Sequence, residues 1–259
     1  MIDFELTPIE KRNNIWLKRD DLFEIAGVCG GKARTCWHLA QNASGLVSAG
    51  ARESPQAIIV AAIAKELNIP CQIHMPWGEY SPEMEYVKNL GAEIIQHKPG
   101  YNNILTSHAH KNAKKLGWTE IPFGMECDEA INQTRKQVKN IPGGVKRIVI
   151  PVGSGMSLAG LLWGLFDQTK SKNVLCYTQE IKIRILGIVV GANPVIRLNK
   201  YAPPLWYNLV ELKSSDLDYH QKVENNQLEG VILDPIYEAK CLEYLEAEDL
   251  LWIVGRRPQ

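Results

Sequence analysis

Short apolar, β-branched segments alternate with segments of helical period along most of this chain, and that alternation restricts its fold more than any other feature. Strands are expected at Asn14 to Arg19, Gly45 to Ser48, Cys71 to Met75, Ala92 to His97, Arg147 to Val152 and Ile183 to Val190. Between them, helical patterns run over Lys32 to Asn42, Pro55 to Leu67, Asn103 to Leu116, Glu126 to Asn140 and Met156 to Phe166, with another opening at Ser81-Pro82. Ser54-Pro55 and Ser81-Pro82 pair a capping hydroxyl with a proline at the first helical position. Gly117 offers a helix stop. Beyond Val190 the pattern breaks into a Pro-containing irregular segment, then a last helix is expected from Asp234-Pro235 and a closing strand over Leu250 to Val254. Such alternation predicts βαβ crossovers and parallel sheets flanked by helices, so the fold class is α/β. With 259 residues, the chain has room for one domain or two.

Charge and composition narrow the function. Lys plus Arg and Asp plus Glu each number 29, and the basic clusters (Lys111, Lys114, Lys115; Arg256, Arg257) are short enough to be solvated faces. A protein that neutralises nucleic-acid phosphates usually carries a basic excess. The six cysteines show no metal-ligand spacing and read as reduced, buried thiols, so no metal is expected. The acidic start Met1 to Glu5 lacks a signal-peptide pattern, and no apolar run reaches the ~18 residues of a membrane span. The expectation is a cytoplasmic protein with no membrane association.

Four local patterns could carry chemistry. In Pro151-Val-Gly-Ser-Gly-Met-Ser157 an apolar strand runs through two glycines directly into a helix. The helix start offers unpaired amides and a positive dipole end, which suits a phosphate. Neither the P-loop lysine nor the full dinucleotide pattern follows, and a plain strand-to-helix turn would read the same way. Cys29-Gly30-Gly31-Lys32 places a lysine at the start of an apolar helix, where desolvation lowers its pKa and suits Schiff-base chemistry. A surface lysine is the ordinary alternative. Ser54 and Asp234 both precede prolines at helix starts and read first as caps. Tyr237 and Glu238 follow in the first turn, where a glutamate favours the dipole whatever else it does.

Taken in order, these patterns resemble the fold type II pyridoxal phosphate (PLP) enzymes, the tryptophan synthase β superfamily. They are similar in particular to the branch of aminocyclopropane-carboxylate deaminase and D-cysteine desulfhydrase. Thr7-Pro8-Ile9-Glu10-Lys11 and Lys18-Arg19-Asp20-Asp21-Leu22 match that branch's opening. Gly30-Gly31-Lys32 resembles its Gly-Gly-Asn-Lys, Gly153 to Leu161 its phosphate loop, Tyr201 to Tyr207 its Tyr-rich loop, and Glu229 to Lys240 its Glu-Gly…Asp-Pro-Val-Tyr-Glu-Gly-Lys segment. The resemblance implies two α/β domains with parallel-rich twisted sheets and PLP in the cleft between them. The larger would comprise residues 1–42 and 147–259, and the smaller would be 43–146. A homodimer is expected on the same ground.

The resemblance also implies roles. Lys32 would carry the cofactor as a Schiff base and move protons at the substrate carbon. Gly153, Ser154, Gly155, Met156 and Ser157 would hold the phosphate, and Glu238 would face the pyridine nitrogen. Ser54 and Tyr237 would act in catalysis, with Ser54, Gln56, Trp206 and Tyr207 around the substrate. Departures from the family pattern are Gly31 and Pro55 where it has asparagines, the ending Val254-Gly255-Arg256-Arg257, and several tens of residues missing between Gly191 and Tyr201. Three functions are compatible. The first is a lyase or deaminase on a small amino acid. The second is a decarboxylase or related enzyme on a larger amino-acid-bearing substrate, such as an amino-acid-modified nucleobase in phage DNA. The third is a catalytically degenerate PLP-binding homologue.

Overall fold

The computed structural model describes residues 5–52, 54–98, 102–170, 173 and 176–257; the start Met1 to Phe4 lies outside them. The chain opens with β1 (Ile9–Arg12), β2 (Ile15–Arg19), the short β3 (Glu24–Ile25) and β4 (Val28–Cys29), and α1 (Gly31–Ala40). There follow β5 (Leu46–Ala49), α2 (Pro55–Glu66), β6 (Cys71–Pro76), α3 (Pro82–Asn89), β7 (Glu93–His97), α4 (Asn102–Leu116), β8 (Thr119–Ile121) and α5 (Asp128–Gln137). The remainder is β9 (Arg147–Val152), α6 (Met156–Gln168), α7 (Tyr177–Glu180), β10 (Arg184–Val189), α8 (Val195–Tyr201), β11 (Val210–Ser214), β12 (Gln227–Leu228), β13 (Val231–Ile232) and β14 (Leu250–Ile253).

The chain divides into two compact units. One comprises the chain up to Phe23 together with Ala130–Arg256; the other is Glu24–Glu129 with the residues from Arg257 onward. These boundaries differ from 42/43 and 146/147. The reason is packing: α1 lies on α2 and on the β3–β4 pair, and α5 presses on α6.

The first unit is built on a six-stranded sheet in the order β1-β2-β14-β9-β10-β11, in which only the β1–β2 pair is antiparallel. The β1–β2 hairpin turns at Asn13-Asn14, with Asn13 at φ 50°, a conformation asparagine tolerates. β14 lies between the N-terminal β2 and β9, so residues from both ends of the chain share the middle of the sheet. Leu250 pairs with both Trp16 and Ile148. β14 is buried throughout, and β9 and β10 are buried beyond their first residues, which accounts for their near-continuous apolar sequences.

Residues beyond Val190 are more regular than their sequence predicts. Pro194 becomes the N-cap of α8, and β11 adds a strand beside β10. The last helix is not an α-helix: after Asp234 the chain tightens into a 3-10 stretch over Glu238–Tyr244. Asp234 Oδ1 does cap the turn, accepting from the amides of Ile236 at 2.8 Å and Tyr237 at 3.0 Å.

The second unit has the all-parallel order β7-β6-β5-β8. Its central β5 is buried, while the edge β7 is at most half-buried. α2 is buried at every position from Gln56 to Ala64, so it is a core helix rather than an amphipathic one. The expected caps form: Ser54 Oγ accepts from Gln56 N at 3.3 Å and Ser81 Oγ from Met84 N at 3.2 Å.

Two glycines one turn apart on α6 let α5 come close. A Cβ at Gly160 would stand 2.8 Å from the Ile131 carbonyl, and one at Gly164 would stand 2.7 Å from the Arg135 carbonyl. Both obstacles are backbone and cannot rotate away. Gly164→Val is therefore expected to lower stability by about 1–3 kcal/mol or more, read as the urea unfolding midpoint. Gly143→Ala, where a Cβ meets nothing within 4 Å, is the control and should barely move it.

Candidate active site

β9 ends at Val152 and the chain passes through Gly153-Ser154-Gly155 into α6. Gly155 is the N-cap at φ 92°, in the left-handed region, and a Cβ there would meet Leu198 Cδ2 at 3.3 Å and Pro194 Cβ at 3.4 Å. Both strain and crowding therefore demand glycine. A Cβ on Gly153 would meet the Tyr237 ring, 3.2 Å from Cε1. The loop thus sets two glycines on either side of Ser154, a cradle at the start of a 13-residue helix, whose first amides have no partner within the helix. Met156 is buried; Ser154 and Ser157 are half-buried.

Tyr237 joins this loop to a buried acid. Glu238 is 1% exposed, and its Oε1 accepts from Val254 N at 2.9 Å. Its Oε2 has no hydrogen-bond partner among the described residues. Burial above all, and then the charge of Asp234, raises the Glu238 pKa well above the usual carboxylate range, with backbone amides of Glu238, Val254 and Gly255 opposing. An unpartnered carboxylate oxygen in a closed interior is costly and invites a cation or a proton.

The tyrosine that meets Tyr237 is Tyr219, their hydroxyls 3.0 Å apart. The Tyr219 ring lies against Gly191, which has φ 93° and where a Cβ would be 3.1 Å from Tyr219 Cδ2. The sequence reading missed Tyr219: it stands 18 residues before Tyr237 in a segment with no periodicity, and only the fold brings the two together. Trp206 is buried, with its indole N–H donating to Asn199 Oδ1 at 3.1 Å, while Tyr207 is 60% exposed.

Three candidates lie in the second unit. Lys32 is the second residue of α1 and half-buried, following Gly30 at φ 90°. Ser54 caps α2. Gln56 is buried, and its side-chain amide is engaged inside the unit. Nε2 donates to Ser48 Oγ at 3.2 Å and to the Pro122 carbonyl at 2.8 Å, and Oε1 accepts from Gly124 N at 2.9 Å. Those bonds tie the start of α2 to the loop after β8. The same unit holds stacked histidines, His74 against His97 and His97 against His108, with ring centroids 5.0 and 4.3 Å apart. Among the described residues no group of His, Cys, Asp and Glu could hold a metal ion, and no helix is long and apolar enough to cross a membrane.

Comparison with known proteins gives this arrangement a family. A sequence profile described as "Pyridoxal-phosphate dependent enzyme" matches residues 4–203. The chain belongs to this family of PLP-dependent enzymes. It is 26% identical, over 89% of its length and 80% of the relative's, to a probable 1-aminocyclopropane-1-carboxylate deaminase of Schizosaccharomyces pombe. It is 25% identical to a putative deaminase of the same name from Thermotoga maritima, over 88% of this chain and 81% of that one. Among solved structures, an ACC deaminase homologue superposes with a TM-score of 0.75 at 23% identity, covering 97% of this chain and 89% of that one. Threonine deaminase isoform 2 from Solanum lycopersicum superposes with a TM-score of 0.63 at 16% identity, covering 98% of this chain and 79% of that one. The last two likenesses speak to the fold: α/β, with parallel-rich sheets and flanking helices.

The residues present fit the family's cofactor. PLP carries a phosphate dianion and a ring nitrogen that can be cationic. The first suits a glycine-containing helix start with two serine hydroxyls. The second suits a buried carboxylate with an unpartnered oxygen, and Glu238 supplies that oxygen one residue from the ring that closes over Gly153.

Proposed function

We propose that this enzyme is a lyase or deaminase that acts on an amino-acid substrate with PLP carried on Lys32. The observation that supports it most is the unpartnered Oε2 of buried Glu238, the residue after the tyrosine whose ring packs on Gly153. A carboxylate at Glu238 would hold the cofactor's ring nitrogen and favour its protonated form. When bound, PLP supplies an electron sink that lets the substrate's α-carbon lose a substituent.

The chain's own residues would do the rest. The amides and hydroxyls of Gly153, Ser154, Gly155, Met156 and Ser157 hold the phosphate. Lys32, near the start of α1, takes and returns the proton at the substrate's α-carbon. Ser54 Oγ, held by its cap bond to Gln56 N, turns its remaining hydrogen-bonding capacity to the substrate carboxylate. Gln56 acts at one remove, through Ser48 and the loop after β8. Tyr237 is the acid that protonates the departing group or opened carbon, with Tyr219 completing its hydroxyl pair. Trp206 and Tyr207 shape the substrate's surroundings. The names of the relatives motivate a small amino acid as substrate.

The test is borohydride reduction of the PLP-loaded protein followed by peptide mapping. A reduced adduct on the peptide containing Lys32, with loss of the visible band, is the expected result. A protein that stays colourless in excess PLP would instead be a catalytically degenerate homologue. A loaded enzyme that ignores free amino acids but turns over an amino-acid-modified base would transfer the proposal to that larger substrate.

A further inference from the structure

Lys240 is 1% exposed, an unusual place for an ammonium. Its Nζ donates to two successive backbone carbonyls, of Asp218 at 2.6 Å and of Tyr219 at 3.3 Å. Burial lowers its pKa while the charges of Asp218 and Asp234 oppose that. The two carbonyls belong to a segment without regular structure between β11 and β12, and such a segment has no ladder of its own to fix it. It carries Tyr219, whose hydroxyl is 3.0 Å from that of Tyr237. Lys240 is also tied to the other tyrosine, its amide N donating to the Tyr237 carbonyl at 3.2 Å. One residue therefore holds both: its main chain bonds Tyr237, and its side chain bonds the segment that presents Tyr219.

We propose that Lys240 is a positioning residue that holds the Tyr219 hydroxyl against the Tyr237 hydroxyl at the glycine cradle, so that the two handle one proton as a pair. The catalytic part of this inference rests on the proposed lyase or deaminase reading; the structural part does not. The Lys240 ammonium bonds the Asp218 and Tyr219 carbonyls, so its effect runs through the segment that presents Tyr219.

Two readouts decide it. The first is amide hydrogen exchange, by mass spectrometry, of 216–222 in Lys240→Met, whose side chain has similar length but no donors. Protection there should fall at least about tenfold, with β9 and β10 unaltered, and Lys240→Gln, which keeps a donor, should restore part of it. Unchanged protection in Lys240→Met overturns the inference. The second is ammonia release per bound PLP from serine, whose departing hydroxyl must take up a proton, and from 1-aminocyclopropane-1-carboxylate, whose opened carbon must, in Lys240→Met, Tyr219→Phe and the double variant. Each single change should slow it about tenfold, and the double should be no slower than the slower single. Losses that multiply would show the two residues acting separately and overturn the pairing. If the wild-type protein takes up no PLP, the proposed function fails, and the first readout alone decides whether Lys240 holds the segment.

Discussion

Alanine in place of Lys32 is expected to leave a folded protein that carries no lysine-bound cofactor and turns over at least about a thousandfold more slowly. The scaffold should tolerate the change. Lys32 is the second residue of α1 and only half-buried, and alanine is the best helix former, so circular dichroism and the unfolding midpoint should barely move. On the proposed role of Lys32, two functions disappear with the amine. One is the covalent hold on the cofactor's aldehyde, seen as the visible absorption band. The other is proton transfer at the substrate's α-carbon, which no neighbouring methyl can replace. The comparison is the absorption spectrum and the rate of wild type and variant after PLP loading and dialysis. A variant with the same band and the same rate would remove Lys32 from the site, and a reduced adduct on another lysine would name its replacement.

Glu238→Gln should reduce turnover about a hundredfold while leaving the fold intact, by analogy with the loss of a single electrostatic group in a closed site. Glutamine keeps the shape, and its amide oxygen can still accept the Val254 amide that now bonds Oε1. What it cannot do is carry the negative charge that favours a protonated ring nitrogen. The cofactor-free protein offers an independent check. In the folded chain the Glu238 pKa lies well above its ordinary value. A group raised in this way contributes stability that is fully present below the unfolded pKa and is lost as pH rises through the folded value. The wild-type cofactor-free protein should therefore lose stability as pH rises from the ordinary carboxylate range toward the raised folded value, and Glu238→Gln should flatten that loss. Urea midpoints across the range measure it. Equal slopes for the two proteins would mean that the carboxyl is not held protonated in the interior.

Much of the local architecture was legible before any tertiary structure. Arg147 to Val152 is a strand with the bounds its β-branched run predicts, and Ser54-Pro55 and Ser81-Pro82 open helices as expected. The glycine turn from β9 into α6 was legible too, since an apolar strand that runs through Gly153 and Gly155 into a helix has few other ways to turn. The misses have a common character. α8 and β11 were lost because prolines at 194, 203 and 204 read as disorder of pattern, whereas Pro194 caps a helix. The turn after Asp234 was read as an α-helix from its cap, but its continuation is a 3-10 stretch. Gln56, expected beside substrate, has its amide committed to Ser48, Pro122 and Gly124.

The sequence by itself determined the main strands and helices up to Val190, the serine caps of α2 and α3, the glycine turn from β9 into α6 and, through its resemblance to known enzymes, the family. These are properties of residues within a turn or two of each other, set by side-chain period, backbone conformation and capping bonds. Only the tertiary structure decided that β14 lies between β2 and β9, that α1 belongs with the second unit, that Tyr219 meets Tyr237, and that Lys240 holds the segment between β11 and β12. It also decided that Glu238 is buried with one oxygen unpartnered. Burial and desolvation depend on neighbours that are distant in the chain, and a side chain's protonation and orientation follow from those neighbours rather than from the residues beside it.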